Sequence, residues 1–401
     1  MDTVVIGLGF TGLPVAVAAA TADLHVLGVD ASASRIHDIA TGAPGCGLTT
    51  VDETALAGAL RSGRLSLKHN EIVAADNYVL CVPTPPDRHG GLDTTMLVNA
   101  ADRVGAVLPK GALVIIQSTC EPGTVDQLLS ARLATASGLR PGTDFHLAHS
   151  PVRTDPGSTA SAPRVVAGLT SACADRATEL LRRLSAEVVT VSTLRAAELT
   201  KVFENTFRLV NISLANELHA LCRAQGVDVH EVMDAAGSKP FGFLPHRPSP
   251  GAGGDCIPVS AGFFAANARR YGLHSPVVDA AITVNNSMPA HTLHRVRVKL
   301  AELGLPMRHV HVLGVTYKPG VANVRQSPAL RMINELSREA VVTYHDPLVP
   351  ELLLDNGTRL TSQPVDTAAD VVLVMAGRTS APHRTSAPVI DCTAGDAVPA
   401  A

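Results

Sequence analysis

Short apolar runs alternate with helical patterns along the first half of the chain. The run at Thr3–Ile6 is typical of a strand covered on both faces of a parallel sheet. An alanine-rich helix is predicted over residues 14–22, followed by a second strand over 24–29. Further strands are predicted at 78–81, 112–116, 144–147, 164–167 and 188–191, with helices at 95–107 and 172–184. This repetition predicts a doubly wound α/β domain over residues 1–193.

The pattern becomes helical after residue 193. Residues 194–225 contain neither Gly nor Pro and place apolar residues at helical intervals, which predicts one long helix ending before Gly226. A helix of this length would extend about 45 Å, enough to bridge two domains or to pair with a second copy. Helical patterns also cover residues 229–236, 261–271 and 277–300, around a loop rich in Pro and Gly at 239–258. We therefore predict a central helical dimerisation domain over residues 194–300.

A smaller α/β domain is predicted over residues 301–401. Its strands are expected at 309–313, 341–344 and 371–375, and its helix at 328–338. Three domains suit the length of 401 residues, because a single core seldom grows past about 250–300 residues.

The composition excludes several classes of protein. With 46% hydrophobic and 17% charged residues the chain is not predominantly disordered. The net charge of −3 and the dispersed basic residues argue against nucleic-acid binding, which needs clustered Lys and Arg. No apolar stretch approaches the roughly 20 residues that span a bilayer. The seven cysteines form no CxxC motif, so we expect a cytoplasmic protein with reduced thiols.

A glycine motif follows the first predicted strand. Gly7-Leu8-Gly9-Phe10-Thr11-Gly12 lies between strand and helix, and Asp30 closes the next strand. Together these features form a dinucleotide-binding fingerprint, in which the helix N-terminus faces the pyrophosphate. Asp30 would accept hydrogen bonds from the ribose and repel a 2′-phosphate, which favours NAD over NADP, although Arg35 lies nearby.

Two further groups of residues could carry chemistry. Glycines precede Cys256 and would let the main chain pass close to a ligand, although a buried structural cysteine is an equally good interpretation. Lys201, Asn205 and Arg208 share one face of the long helix. A lysine there could stabilise an oxyanion and an asparagine could hold a water, but a solvated helix face is the usual interpretation.

Several motifs in order resemble the nucleotide-sugar dehydrogenases that act on UDP-glucose, UDP-N-acetylmannosamine and GDP-mannose. Besides the glycine motif they are CVPTP (81–85), Ser118-Thr119 with Pro122-Gly123-Thr124, KVFENTFRLVNISLANEL (201–218), KPFGF (239–243), GGDCIP (253–258), LGVTYKP (313–319), RQSP (325–328) and Asp346-Pro347. The resemblance covers nearly the whole chain. It implies two Rossmann-like domains joined by the helical segment, NAD as cofactor, a nucleotide-sugar substrate and a homodimer.

The resemblance also implies roles for individual residues. Lys201, Asn205, Cys256 and Thr119 match catalytic positions, and the implied reaction oxidises a sugar C6 hydroxymethyl through an aldehyde and a Cys256 thioester to a carboxylate. The implied NAD-binding residues are Gly7, Gly9, Phe10, Thr11, Gly12, Asp30, Arg35, Thr84 and Arg325. The implied substrate-binding residues are Arg208, Phe241, Gly242, Phe243, Gly251, Gly253, Gly254 and Lys318.

The chain departs from the family pattern at four positions. Val152 and Ser260 stand where the family usually has acids, and Asp255 and Asn323 replace a histidine and an aspartate. A general base contributes about 10²–10⁴-fold to rate, so thioester hydrolysis should suffer more than NAD binding.

Three outcomes follow from these departures. Asp155, Glu121 or Asp255 could take over the proton transfer, the reaction could stop at the aldehyde or use an unusual nucleotide-linked substrate, or the protein could only bind nucleotide sugar or NAD. We predict no metal site, because His309 and His311 lack a third ligand at suitable spacing. The nucleotide base and the hexose cannot be read from the sequence.

Overall fold

The computed structural model describes residues 1–43, 51–88, 90–153, 162–185, 187–364, 368–375 and 387–393. The chain divides into two compact units, Met1–Phe203 and Glu204–Ala401. The predicted α/β fold class is confirmed, whereas the three domain boundaries proposed from the sequence stay a prediction.

The first unit contains an eight-stranded sheet in the order β3-β2-β1-β4-β5-β6-β7-β8. Neighbouring strands are parallel except for β6 and β7, which are antiparallel. The strands are β1 (Thr3–Ile6), β2 (Val26–Asp30), β3 (Leu65–His69), β4 (Asn77–Leu80), β5 (Leu113–Ile116), β6 (His146–His149), β7 (Arg164–Gly168) and β8 (Val188–Thr190). Because strand order reverses beside β1, the glycine motif that follows β1 lies at the ligand-binding edge of this sheet.

Helices connect these strands and cover the sheet. They are α1 (Gly12–Thr21), α2 (Ala33–Thr41), α3 (Glu53–Arg61), α4 (Thr95–Gly105), α5 (Ser130–Ser137) and α6 (Ser171–Leu184), with a π-helical segment at Thr124–Leu129. Every residue of β1, β4 and β5 is buried, as expected for strands with helices on both faces. The core of this unit packs α1 and α6 against the sheet through residues such as Val5, Val17 and Leu180.

The long helix α7 (Leu194–Gln225) starts in the first unit and continues into the second. The second unit then contains α8 (Val229–Gly237), α9 (Ile257–Arg270), α10 (Pro276–Glu302) and α11 (Pro328–Leu336). Its parallel sheet has the order β10-β9-β13-β14, made of β9 (His309–Leu313), β10 (Val341–His345), β13 (Val371–Val374) and β14 (Val389–Asp391). A separate hairpin joins β11 (Glu351–Leu353) to β12 (Arg359–Thr361).

Several predicted boundaries were wrong by a few residues. The second strand begins at Val26 instead of residue 24, because Leu24 still donates its N–H to the Ala19 carbonyl at the end of α1. Helix α9 begins at Ile257 instead of residue 261, with Pro258 in its first turn, where the missing N–H costs nothing. The sequence analysis did not predict α2, α3, α5, the π-helical segment, β3, β11, β12 or β14. Among the described residues, no helix is long and apolar enough to cross a membrane.

Candidate functional site

Two glycines of the first motif are required by steric contact. Gly7 has φ +88°, and a Cβ placed on it would lie 2.8 Å from the Cys81 carbonyl oxygen. A Cβ on Gly12 would lie 1.8 Å from the Gly7 carbonyl oxygen, so only glycine lets α1 start against this turn. Gly9 differs, because a Cβ there would meet no atom of the described chain within 4 Å. The motif thus combines a closely packed turn with an open face over Gly9, which a dinucleotide phosphate could approach.

Asp30 and Arg35 both hold the glycine motif. The Asp30 carboxylate accepts hydrogen bonds from the Leu8 N–H at 2.8 Å and the Ser32 N–H at 2.9 Å. The Arg35 guanidinium donates to the Leu8 carbonyl, with distances of 3.0 Å from Nε and 2.8 Å from Nη2. A carboxylate offers about four acceptor positions, so Asp30 can still accept from a ribose hydroxyl. This shared role of Asp30 and Arg35 was not predicted from the sequence.

Thr84, predicted to bind the cofactor, and Thr119, predicted to be catalytic, follow strands β4 and β5 at the same sheet edge as the glycine motif. Ser118 joins their loops by donating from Oγ to the Val82 carbonyl at 2.7 Å. Phe10 and Thr11 are half-buried between β1 and α1. Thr11 is the N-cap residue of α1 and its side chain makes no capping hydrogen bond, while the Leu13 N–H donates to the Gly9 carbonyl at 3.2 Å. These residues are compatible with NAD, whose pyrophosphate would lie near the N-terminus of α1.

A buried acid that the sequence analysis missed lies on α7. Glu198 accepts hydrogen bonds from the Gly123 N–H at 2.7 Å and the Val125 N–H at 2.9 Å. Burial raises the pKa of Glu198 to about 7, although these two N–H groups lower it. The available signal was an acid at a helical interval among the apolar positions Leu194, Ala197 and Val202.

Lys201 and Asn205 are buried on α7, with exposed fractions of 8% and 4%. Arg208, predicted on the same face, is exposed. Asn205 donates from Nδ2 to Ser260 Oγ at 2.9 Å, and Ser260 is only 1% exposed. Ser260, at a position where the resemblance implies an acid, therefore keeps a hydrogen bond with Asn205 but provides no carboxylate.

Cys256 is exposed and is the N-cap residue of α9. The glycines before it pack closely on residues 317–328. A Cβ on Gly254 would lie 2.7 Å from the Tyr317 ring, and one on Gly253 would lie 2.6 Å from the Gln326 carbonyl oxygen. Gly251 has φ +120°, which also favours glycine. Asn285 holds the same loop by bonding the Ala252 N–H at 2.7 Å and the Ala252 carbonyl at 3.1 Å.

Two of the departures from the family pattern contact each other. Asp255 Oδ2 lies 3.4 Å from Asn323 Nδ2 and 3.4 Å from Arg325 Nη1. The Arg325 carbonyl also accepts the Gly254 N–H at 3.0 Å. Arg325, for which the resemblance implies a contact to the cofactor, thus pairs with the residue beside Cys256. Asp255 thus places a carboxylate beside Asn323.

The remaining predicted substrate residues lie in the second unit. Phe241 and Phe243 are exposed, Gly242 has φ +67°, and Lys239 Nζ lies 4.9 Å from the centre of the Phe241 ring. The Lys318 carbonyl accepts the Thr316 hydroxyl at 3.0 Å.

The acids proposed as replacements have different surroundings. The position that lacks the acid, Val152, is half-buried. Of the proposed replacements, Asp155 lies outside the described residues. Glu121 is 1% exposed and accepts the Leu92 N–H at 2.6 Å, so it anchors a loop in the first unit. Asp255 is exposed, unlike Glu121, and is engaged by Arg325.

Comparison with known proteins decides the family. Family models for the UDP-glucose/GDP-mannose dehydrogenases match three segments: the NAD binding domain at residues 1–185, the central domain at 195–287 and the UDP binding domain at 311–381. The chain belongs to the UDP-glucose/GDP-mannose dehydrogenase family. It is an NAD-dependent nucleotide-sugar dehydrogenase.

The relatives of this dehydrogenase include several that act on UDP-linked amino sugars. It is 32% identical to the UDP-N-acetyl-D-mannosamine dehydrogenase of Pyrococcus horikoshii, over 93% of this chain and 88% of that protein. It is 31% identical to the UDP-N-acetyl-D-glucosamine 6-dehydrogenase of Pseudomonas aeruginosa, over 87% of this chain and 83% of that protein.

Solved structures agree with this assignment. The structure of the P. horikoshii UDP-D-ManNAc dehydrogenase matches with a TM-score of 0.83 and 29% identity, covering 94% of this chain and 89% of that one. A UDP-glucose dehydrogenase from Pyrobaculum islandicum matches with a TM-score of 0.84 and 28% identity, covering 98% and 94%. The predicted family, the Rossmann-type fold and NAD as cofactor are confirmed.

Proposed function

We propose that this dehydrogenase oxidises the C6 hydroxymethyl of a UDP-linked N-acetylhexosamine to a carboxylate, with Cys256 as nucleophile. The names of the relatives support the substrate class. The observation that carries the proposal lies in the first turn of α9, where the exposed Cys256 accepts the Ser260 N–H on its carbonyl at 3.1 Å. Ser260 in turn holds Asn205, so that one turn of helix connects the nucleophile to the proposed water-holding amide.

The residues of the chain would act in two oxidative stages. NAD supplies the acceptor for one hydride in each stage, and two NAD are reduced per sugar. In the first stage the C6 hydroxyl loses its proton to solvent water as the carbonyl forms, and Lys201 stabilises the oxygen with its charge. Asn205 and Thr119 orient that oxygen or an ordered water.

Cys256 acts between the two stages. Its thiolate adds to C6 of the aldehyde, and the oxygen takes a proton from water to form a thiohemiacetal. In the second stage C6 loses a hydride to NAD and the hydroxyl returns its proton to water, which leaves a thioester. Water then adds to the thioester and releases the carboxylate, while the sulfur regains a proton. Hydrolysis is the step that the departures affect, because neither Val152 nor Ser260 can accept a proton at neutral pH.

The test counts NADH formed per nucleotide sugar and identifies the product by mass spectrometry. The proposal expects two NADH and a carboxylate from UDP-N-acetylmannosamine or UDP-N-acetylglucosamine. One NADH with an aldehyde would show that the reaction stops after the first stage. No NADH, with NAD and the sugar nucleotide still raising the melting temperature, would leave binding as the only function.

Matched cysteine variants complete the test. Cys256→Ala should abolish formation of the carboxylate, whereas Cys222→Ala removes a buried thiol of the same unit and should keep it. Carboxylate release at the parent rate by Cys256→Ala would rule out the thioester route.

We also propose that the enzyme is a cytoplasmic homodimer that pairs through α7. Leu199, Phe203, Phe207, Leu214 and Leu221 are exposed on this helix, which is unusual for large apolar side chains placed at helical intervals. Light scattering should give twice the mass of 41.6 kDa, and Leu214→Asp should shift the protein toward the monomer. A wild-type protein that is monomeric at micromolar concentration would contradict this proposal.

A further inference from the structure

Glu198 joins two segments that the proposed function places at the reacting centre. It is fully buried in the first unit, and its two oxygens accept the Gly123 and Val125 N–H groups, one each. These N–H groups lie at the start of the π-helical segment Thr124–Leu129, where the first N–H groups of a helix have no partner within the helix. A side chain from α7 thus caps a separate segment of the chain.

The capped segment leads directly back to Thr119. Gly123 follows Thr119 by four residues, and Lys201 follows Glu198 by three residues on the same helix. A second contact reinforces the same junction, because Arg195 Nε lies 2.9 Å from Asp126 Oδ2. Helix α7 therefore contacts the π-helical segment twice, through the buried Glu198 and through the partly exposed pair of Arg195 and Asp126.

We propose that Glu198 is a positioning residue for the oxidation, whose carboxylate holds the Thr119 segment at a fixed distance from the helix that carries Lys201. This inference rests on the proposed function. Glu198 acts through these two residues, so its loss should affect the oxidation step more than the binding of NAD by the glycine motif.

The charges around Glu198 make this contact sensitive to pH. Asp126 from the π-helical segment opposes ionisation of Glu198, and Arg195 from α7 favours it. Cys120 and Glu121 lie in the preceding loop, and burial together with Glu198 and Glu121 raises the pKa of the Cys120 thiol. Glu198 has a pKa of about 7, so it accepts both N–H groups fully only above that pH. Once protonated, one of its oxygens becomes a donor.

The test compares Glu198→Gln and Glu198→Ala with wild type and with Glu179→Gln. Glu179 is an exposed acid on α6 and serves as the control. Glutamine keeps one acceptor, so the expected order of kcat is wild type, then Gln, then Ala. From the usual strength of hydrogen bonds to charged groups, kcat of Glu198→Gln should fall about 10- to 100-fold, with KM for NAD within about threefold of wild type.

The pH profile separates a positioning role from a general loss of stability. The acid limb of kcat near pH 7 in wild type and Glu179→Gln should be absent from Glu198→Gln. A kcat for Glu198→Gln within about twofold of wild type, or an unchanged acid limb, would overturn the proposal.

Hydrogen exchange provides a measurement that does not depend on activity. In the wild-type protein the Gly123 and Val125 amides should lose protection as pH falls through 7, after correction for intrinsic exchange. In Glu198→Gln they should exchange at least about tenfold faster than in wild type at pH 8. Unchanged protection would refute the inference. Absence of NADH with wild-type enzyme would instead refute the proposed function.

Discussion

The hydrogen bond between Asn205 and Ser260 gives a quantitative test of the catalytic helix. Ser260→Ala removes the hydroxyl that accepts Asn205 Nδ2 at 2.9 Å, and both residues are buried. A buried donor left without its partner costs about 1–3 kcal/mol. We expect the free energy of unfolding to fall by that amount, and kcat to fall because the Asn205 amide is no longer oriented.

The measurement is urea unfolding of the variant beside a matched control. Ser213→Ala also removes a buried hydroxyl, but Ser213 Oγ donates to the Ala281 carbonyl at 2.9 Å, within helix α10. Because that carbonyl can keep its helical hydrogen bond, we expect Ser213→Ala to cost only about 0.5–1 kcal/mol.

A double-mutant cycle isolates the pair itself. Asn205→Leu replaces the amide by an apolar group of similar shape, so that Ser260→Ala in this background leaves no unpaired donor. The two changes together should therefore cost about 1–2 kcal/mol less than the sum of the single changes. The reasoning is refuted if Ser260→Ala costs no more than Ser213→Ala, or if the two changes are additive.

Three further predictions concern the first unit. In Gly12→Ala the new Cβ would overlap the Gly7 carbonyl, so calorimetry should show NAD binding weakened about 10- to 100-fold. The control Gly58→Ala lies in the open interior of α3 and should slightly stabilise the protein. Equal NAD affinity of Gly12→Ala and wild type would contradict the steric argument. Asp30→Ser removes the negative charge that would face a 2′-phosphate, so it should raise kcat/KM for NADP relative to NAD by about tenfold or more. An unchanged ratio would argue against Asp30 as the residue that excludes NADP. Burial raises the pKa of Glu198 from 4.5 to about 7, so folding binds a proton in this range and the free energy of unfolding falls as pH rises from 4.5 to 7. Over this range wild type should lose about 3 kcal/mol more of its free energy of unfolding than Glu198→Gln. If the free energies of unfolding of the two proteins changed in parallel with pH, this would be inconsistent with a buried carboxylate.

Much of the fold could be predicted because its signals are local. The apolar run of β1 and the uninterrupted helical pattern of α7 each lie within one continuous stretch of sequence. The hairpin of β11 and β12 was missed because strands of three residues carry too little alternation to be recognised. The antiparallel placement of β7 depends on pairing with β6, which no local pattern specifies.

The candidate site was predicted by residue type more than by contact. The glycine motif and Cys256 carry recognisable signals, because close backbone approach and a reactive thiol restrict the residue types. The contact of Asp255 with Asn323 joins residues that are far apart in sequence, so only the fold reveals that two of the departures are coupled. Glu198 was missed for the same reason, since its partners Gly123 and Val125 contribute backbone N–H groups, which no side-chain motif records.

The central claim is that C6 of the sugar becomes bonded to Cys256 during the reaction. Intact-protein mass spectrometry after rapid acid quenching of enzyme, NAD and UDP-N-acetylmannosamine tests it directly. Because Val152 and Ser260 provide no carboxylate for hydrolysis, the account predicts that a covalent adduct with the mass of the acylated enzyme accumulates, maps to Cys256 and is released by hydroxylamine. Continued turnover to the carboxylate with no adduct at any time, and with full activity in Cys256→Ala, would contradict it.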